Sequence, residues 1–285
     1  MAKTKNIWER IQGIDRRYIF LLTAIVFIPL LYPLAIPFKP SPYAVDFYNA
    51  VEAVPDGSYV LAMNQFGADD LEKMWAKRAL TDRLLAKNCK IVEASVAATS
   101  PIAVERCWND LVDKRLLATK KYGVDYVFLP YVAGEVVAWS AIGRDIRGAT
   151  GGVDYYGTNF NSLPIMTGIN NGGHFQFLTE TGHHTSLAIE PVVTQIQAVW
   201  GMPLVVLSAG ISHALTANFI ATGNIKAALE GLTDMAGYEL LVKDPGLNLK
   251  QMDVVSFHHI LLITLIIVGN VVYLLSKPKK SEVEK

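Results

Sequence analysis

Cysteine is scarce in this chain, neither sign of charge is in excess, and the short motifs that announce a reaction are missing. Its 285 residues include two cysteines, Cys89 and Cys107, too few for a disulfide framework and without CxxC metal-ligand spacing. The 26 basic and 26 acidic residues cancel, so there is no basic footprint of the kind that binds nucleic acid, and no nucleic-acid partner is expected. Asn64-Gln65-Phe66-Gly67 is no GxGxxG, and no stretch fits GxxxxGK[ST]; no nucleotide or other cofactor is indicated. Ser208-Ala209-Gly210 follows an apolar run, but Val206 and Leu207 before it do not build the GxSxG elbow of hydrolases. Glu180-x-x-His183-His184 lacks the helical HExxH spacing of zinc proteases. The sequence therefore favours a non-enzymatic protein.

What the chain does have is two long uncharged stretches near its ends, 18–38 and 254–276. Each is about the length a helix needs to cross a hydrocarbon core, and together they account for a mean hydropathy of +0.27 with 51% hydrophobic residues. Lys3, Lys5, Arg10, Arg16 and Arg17 precede the first stretch, and Lys277, Lys279, Lys280 and Lys285 follow the second. The inner flanks are nearly balanced. Basic residues beside a span mark its cytoplasmic end. The expected layout is a basic cytoplasmic tail (1–17), a transmembrane helix (18–38), an extracytoplasmic domain (39–253), a second transmembrane helix (254–276) and a second cytoplasmic tail (277–285), a multi-pass protein of the cell membrane. Pro33, Pro37, Pro40 and Pro42 occupy the place of a small-residue cleavage site, which favours an uncleaved anchor over a signal peptide. Asn270 lies inside the second stretch, where an amide is expected to bond across helices, and His258 and His259 stand at its outer end.

From Asp56 onward, β-rich runs alternate with amphipathic segments, the signature of βαβ units. Strands are expected at 59–63, 90–96, 125–130, 174–180 and 202–207, with helices at 69–87, 101–121, 135–142, 185–200 and 211–242, the last broken near Gly223. These elements make an α/β fold, a Rossmann-like three-layer domain with a mostly parallel sheet of about five strands. Residues 143–173 carry eight glycines and few apolar runs, a loop-rich insertion that reads equally as a lid or binding loop and as a flexible surface excursion. Cys89 and Cys107 fall roughly 10 Å apart on this layout, from the rise of a strand and of a helix, so they are expected to be buried free thiols. Ala227, Ala228, Gly231, Ala236 and Gly237 permit close helix approach, either within the domain or between subunits, and a homo-oligomer or membrane protein partners are expected beside the lipid bilayer.

In an open parallel sheet the loops after the strands gather along one edge, where ligands bind. Those loops hold Asn64, Gln65, Thr99 and Tyr131 as candidate ligand-binding residues and Glu180, His183, His184, Ser208 and His213 as candidates for catalysis, with Ser100 and Ser212 as further polar residues there. Imidazole serves as metal ligand or proton shuttle, and a carboxylate orients it. Adjacent histidines that simply precede a helix and face solvent account for the same pattern.

Gly123-Val-Asp125-Tyr126-Val127-Phe128-Leu129, Asp154-Tyr155-Tyr156-Gly157, Leu163-Pro164-Ile165-Met166, Ala236-Gly237-Tyr238-Glu239-Leu240 and Gly269-Asn270-Val-Val-Tyr273-Leu274-Leu275 together resemble an uncharacterised family of bacterial two-span membrane proteins with an extracytoplasmic α/β domain. The resemblance covers most of the chain. It implies the architecture and no catalytic residues. The expected function is a membrane-anchored extracytoplasmic binding or scaffold domain within a membrane assembly. The alternatives are a hydrolase or metal-dependent enzyme built on the strand-end Glu/His cluster, and an accessory subunit of a transport system.

Overall fold

A computed structural model describes residues 15–32, 34, 36–182 and 188–276, and these fall into two units. Residues up to Pro37 and from Lys250 onward group as one, and Phe38–Leu249 as the other. His183, His184 and the basic tails lie outside the described residues.

In the terminal unit the first apolar stretch is not one continuous helix. It gives helix α1, Arg16–Ile25, and a single turn, Ile28–Leu31. Pro29 cannot donate to the helical ladder, which ends at Val26 and Phe27. After the turn, the Asp253 carboxylate accepts the backbone N–H groups of Leu34 and Ile36, both at 2.9 Å. These two donors help to satisfy a buried acid.

The second apolar stretch behaves as its composition demands. A single helix runs over Leu247–Ser276, and its apolar section, Leu247–Leu275, has hydropathy 2.1 with only 6% of its most apolar window buried. At 1.5 Å per residue this section is about 43 Å long, enough to cross a bilayer. Ile260, Ile263, Ile266, Ile267 and Leu274 are all more than half exposed. Within this helix Asn270 Nδ2 donates to Ile266 O, one turn back, at 2.8 Å.

In the central unit Ser41 caps helix α2, Pro42–Glu52, accepting from Ala44 N at 3.0 Å, and Pro42 supplies the first helical position. Alternating strands and helices follow. Strand β1, Tyr59–Gln65, leads to helix α3, Leu71–Ala86; β2, Lys90–Ser95, to α4, Ser100–Arg106; and β3, Tyr126–Tyr131, to α5, Val136–Arg144. Then come β4, Phe177–Gly182, and β5, Leu204–Ser208, with helix α6, His213–Ala221, after it. Strand β6, Ala227–Glu230, and helix α7, Leu232–Leu241, complete the unit. Every pairing is parallel, in the order β3-β2-β1-β4-β5-β6. Strands 1 to 3 grow outward from β1 in one direction and strands 4 to 6 in the other, so the order reverses between β1 and β4.

Both sheet faces are covered, as a parallel sheet requires. One face carries Leu61, Met63, Val92, Leu178, Leu204 and Val206 against Trp139, Ile142, Val192 and Ile196. The other carries Val60, Ala62, Ile91, Phe177, Val205 and Leu229 against Phe47, Met74, Leu80, Trp108 and Tyr238. The two sets alternate along each strand, which is the period-2 signal of the sequence.

Four expectations are corrected. Residues 211–242 are not one helix broken near Gly223; β6 lies within them, because Ala227-Ala-Leu-Glu230 sits beside Val205–Ser208 and tertiary pairing overrides its helical propensity. The helix expected at 101–121 becomes α4, a π-turn over Cys107–Leu111 and one further turn, Lys114–Leu117. Residues 143–173 are not a loose surface excursion. They bury Ile146, Phe160, Leu163, Ile165, Met166 and Ile169 in the core, and Arg147 ties the segment together by donating to Ile169 O and Met166 O at 3.2 and 2.9 Å. The small residues of 221–241 are used inside the domain: a Cβ on Gly237 would stand 2.9 Å from Ala44 Cβ, so α7 approaches α2 closely. Cys89 and Cys107 are both buried free thiols, as expected, and burial pushes the Cys107 thiol up to about 12, which leaves it unreactive.

Candidate functional site

The carboxyl ends of β1, β4 and β5 meet at the reversal of strand order. Gln65 of β1 is paired with Gly182 of β4, and two rungs before the end Met63 is paired with Glu180. Thr181 is paired with Leu207, so by the same register Gly182 stands beside Ser208 of β5. Ser208 is paired with Glu230 of β6. By strand alternation Gln65, Glu180, Ser208 and Glu230 share one face, that of Met63 and Val206.

Glu180 is fully buried, and neither of its carboxyl oxygens has a hydrogen-bond partner. Its side chain runs along β4 toward the strand end and fills the room over Gly182, where a Cβ would overlap the Glu180 carboxyl and stand 2.8 Å from Ala188. Glycine at 182 is thus the condition for a carboxyl at this level. Burial raises the Glu180 carboxyl well above the ordinary glutamate range, against the pull of Lys73 and Lys77 on α3. Other oxygens at the strand ends are equally unmatched: Gln65 Oε1 and Ser208 Oγ on the same face, Thr181 Oγ1 and Asn64 Oδ1 on the opposite one, and Ser212 Oγ after β5 are buried atoms without partners. Native interiors rarely leave such groups unpaired, so a concentration of them at one edge needs a reason.

Two neighbouring networks, by contrast, are closed. On the other face Glu93 of β2 accepts from Lys77 Nζ at 2.9 Å, Asn64 Nδ2 at 2.8 Å and Trp108 Nε1 at 2.9 Å, all of them buried. At the far end of the row Glu230 takes His213 Nδ1 at 2.5 Å and the Thr216 hydroxyl, while the imidazole, about half exposed, meets Tyr43 edge-on at 5.3 Å. Lys73 and Asp70, at the start of α3, form a third pair at 2.7 Å.

The structure thus sorts the sequence candidates. Gln65, Glu180 and Ser208 come together on one face of the strand ends. Asn64 is drawn into the Glu93 network, and the Ser100 hydroxyl bridges Phe66 O and Phe66 N at 2.8 and 3.0 Å, fixing the turn after β1. Thr99 is exposed and Tyr131 largely so. His213 belongs to Glu230, not to Glu180 or Ser208, so the nucleophile–base hydrogen bond that hydrolysis by Ser208 would use is not made. Among the described residues no group of three or more His, Cys, Asp or Glu is placed to hold a metal ion.

Sequence reasoning passed over Glu93, Lys77 and Glu230. A lone Glu93 amid Ile91, Val92 and Ala94 was a readable sign of a buried partner on α3; Glu230 was hidden because its strand was read as helix. A cleft of about 440 Å³ also opens at the opposite end of the sheet, between Asn49, Ala53, Phe177, Pro203 and Lys226. None of its lining side chains carries a buried unpaired polar atom.

Comparison with protein-family models, with curated proteins and with solved structures returned no match.

Proposed function

We propose that this chain is a membrane-anchored α/β domain that works by binding a small polar ligand at the β1/β4 strand ends, rather than by turning one over. The observation that carries the reading is the fully buried, unpaired Glu180 carboxyl at the reversal of strand order. A parallel sheet offers its ligand crevice at that place, and an interior acid without a partner is the kind of destabilising feature retained for a ligand.

Glu180→Met keeps the length of the side chain and removes the orphaned oxygens. It is expected to raise stability by about 1–3 kcal/mol, the usual cost of a buried unpaired polar group, or several degrees in Tm. A loss of stability instead would mean that Glu180 has a structural partner, and the binding reading would fall.

The same proposal places both terminal apolar stretches in the bilayer, the two tails in the cytoplasm and the domain outside it. Basic residues at both ends and the lipid-compatible surface of Leu247–Leu275 support this layout, and the helical break at Pro29 is tolerable in a span whose neighbours satisfy the freed carbonyls. In sealed right-side-out cells, a protease is expected to cut near Gly151 and to leave Lys285 intact. The reverse pattern would invert the topology.

A further inference from the structure

Resting on that reading, we infer that the strand-end site recognises a primary ammonium group, with Glu180 as its counter-charge and Gln65 and Ser208 as flanking acceptors. The first argument is the sign of the unpaired atoms. On this face of the strand ends the buried side-chain atoms without a partner are oxygens, from Gln65, Glu180 and Ser208. The single unpaired buried nitrogen among the described side chains is Nε of Arg78, whose other nitrogens are held by Asp244. A phosphate or carboxylate would meet the Glu180 carboxyl here, and the Ser208 hydroxyl is free to accept from a donor. The site calls for a donor-rich, positively charged group.

The second argument is charge count. Of the carboxylates nearby, Glu230 is taken by His213 and Thr216, Glu93 by Lys77, and Asp70 is bonded to Lys73. Glu180 alone remains without a hydrogen-bond partner, on the same face as Gln65 and Ser208 and within the field of Lys73 and Lys77, so the site offers a single carboxylate. Calcium and magnesium sites gather more carboxylate than this. The third argument is spacing. A tetrahedral nitrogen bonded at about 2.8 Å holds two acceptors about 4.6 Å apart, close to the roughly 4.8 Å between neighbouring strands. Gln65 and the Glu180 carboxyl over Gly182 stand on adjacent strands, as do that carboxyl and Ser208. As the ammonium enters, the Glu180 proton leaves to solvent and the ion pair replaces it.

The test is thermal unfolding of the full-length protein in mild detergent with methylammonium or ethanolamine as probes, against tetramethylammonium, potassium, magnesium and calcium chlorides. A primary ammonium probe is expected to raise the midpoint by roughly 3 °C, the shift for a ligand at about ten times its Kd. Tetramethylammonium, which has no N–H, gives none. The rise should vanish in Glu180→Gln and shrink in Ser208→Ala. If neither primary ammonium probe exceeds tetramethylammonium, the assignment is overturned. A rise with calcium or magnesium alone also overturns it while leaving the binding reading intact, since that reading falls on the stability of Glu180→Met and not on the choice of cation.

Discussion

Replacing Lys77 with methionine is expected to destabilise the protein by about 3–5 kcal/mol, the cost of leaving a buried charge without its counter-ion, or roughly 10 °C in Tm for a domain of this size. Lys77 and Glu93 lie between α3 and β2, both about 2% exposed or less. Without the ammonium, the Asn64 amide and the Trp108 indole N–H remain as donors to Glu93, and neither carries a charge. The double variant Lys77→Met, Glu93→Gln should recover much of the loss, because the uncompensated charge goes with the glutamate. Near-additive single and double losses would show that Lys77 contributes by packing alone.

The second large effect concerns pH. Asp82 on α3 is pushed up to about 7, first by burial and then by the neighbouring Asp244 carboxylate, against the lowering effects of the Asp113 N–H at 3.0 Å and of Arg78. A carboxyl whose folded value is raised binds its proton more tightly folded than unfolded. Its contribution to stability is therefore complete below about pH 4 and is lost as the pH climbs to about 7. At about 1.4 kcal/mol per unit, the whole step is on the order of 4 kcal/mol. Glu180 and Glu239, also raised by burial, tilt stability the same way. Asp82→Asn removes the Asp82 share and keeps an acceptor for Asp113 N–H. Denaturant unfolding at pH 5 and pH 8 should show a clearly smaller difference in the variant than in the parent. An unchanged difference would mean that Asp82 is ionised throughout.

Five strands, their order of appearance and the edge on which ligands bind were legible because a buried parallel sheet writes continuous β-rich runs separated by helices. Asn64, Gln65, Glu180 and Ser208 were found for the same reason: each ends a strand. The partnership of these residues was not legible, because it depends on which strands become neighbours. Glu180 and His213 follow successive strands, yet His213 turns to Glu230 on β6, a strand hidden by the helical propensity of Ala227-Ala-Leu-Glu230. Helix α2 was missed since its start, Ser41-Pro42, sits inside a proline-rich run that reads as extended. The glycines of 143–173 suggested looseness, but Phe160, Ile165 and Ile169 are spaced irregularly and still reach the core, which no periodicity reveals. The second apolar stretch, without proline, became the long helix its sequence suggests, while Pro29 divided the first.

The central claim is that Glu180 waits in the free protein as an unpaired acid, and the protonation state of that one carboxyl tests it most directly. Infrared difference spectra between the parent and Glu180→Gln, recorded at pH 6 without added amines, isolate the carboxyl of residue 180. A protonated-acid carbonyl band in the parent, absent from the variant, is the expected result, because burial outweighs the pull of Lys73 and Lys77 and keeps the proton on. A carboxylate band in its place at pH 6 would show that a cation within the protein already holds Glu180, and would contradict the account.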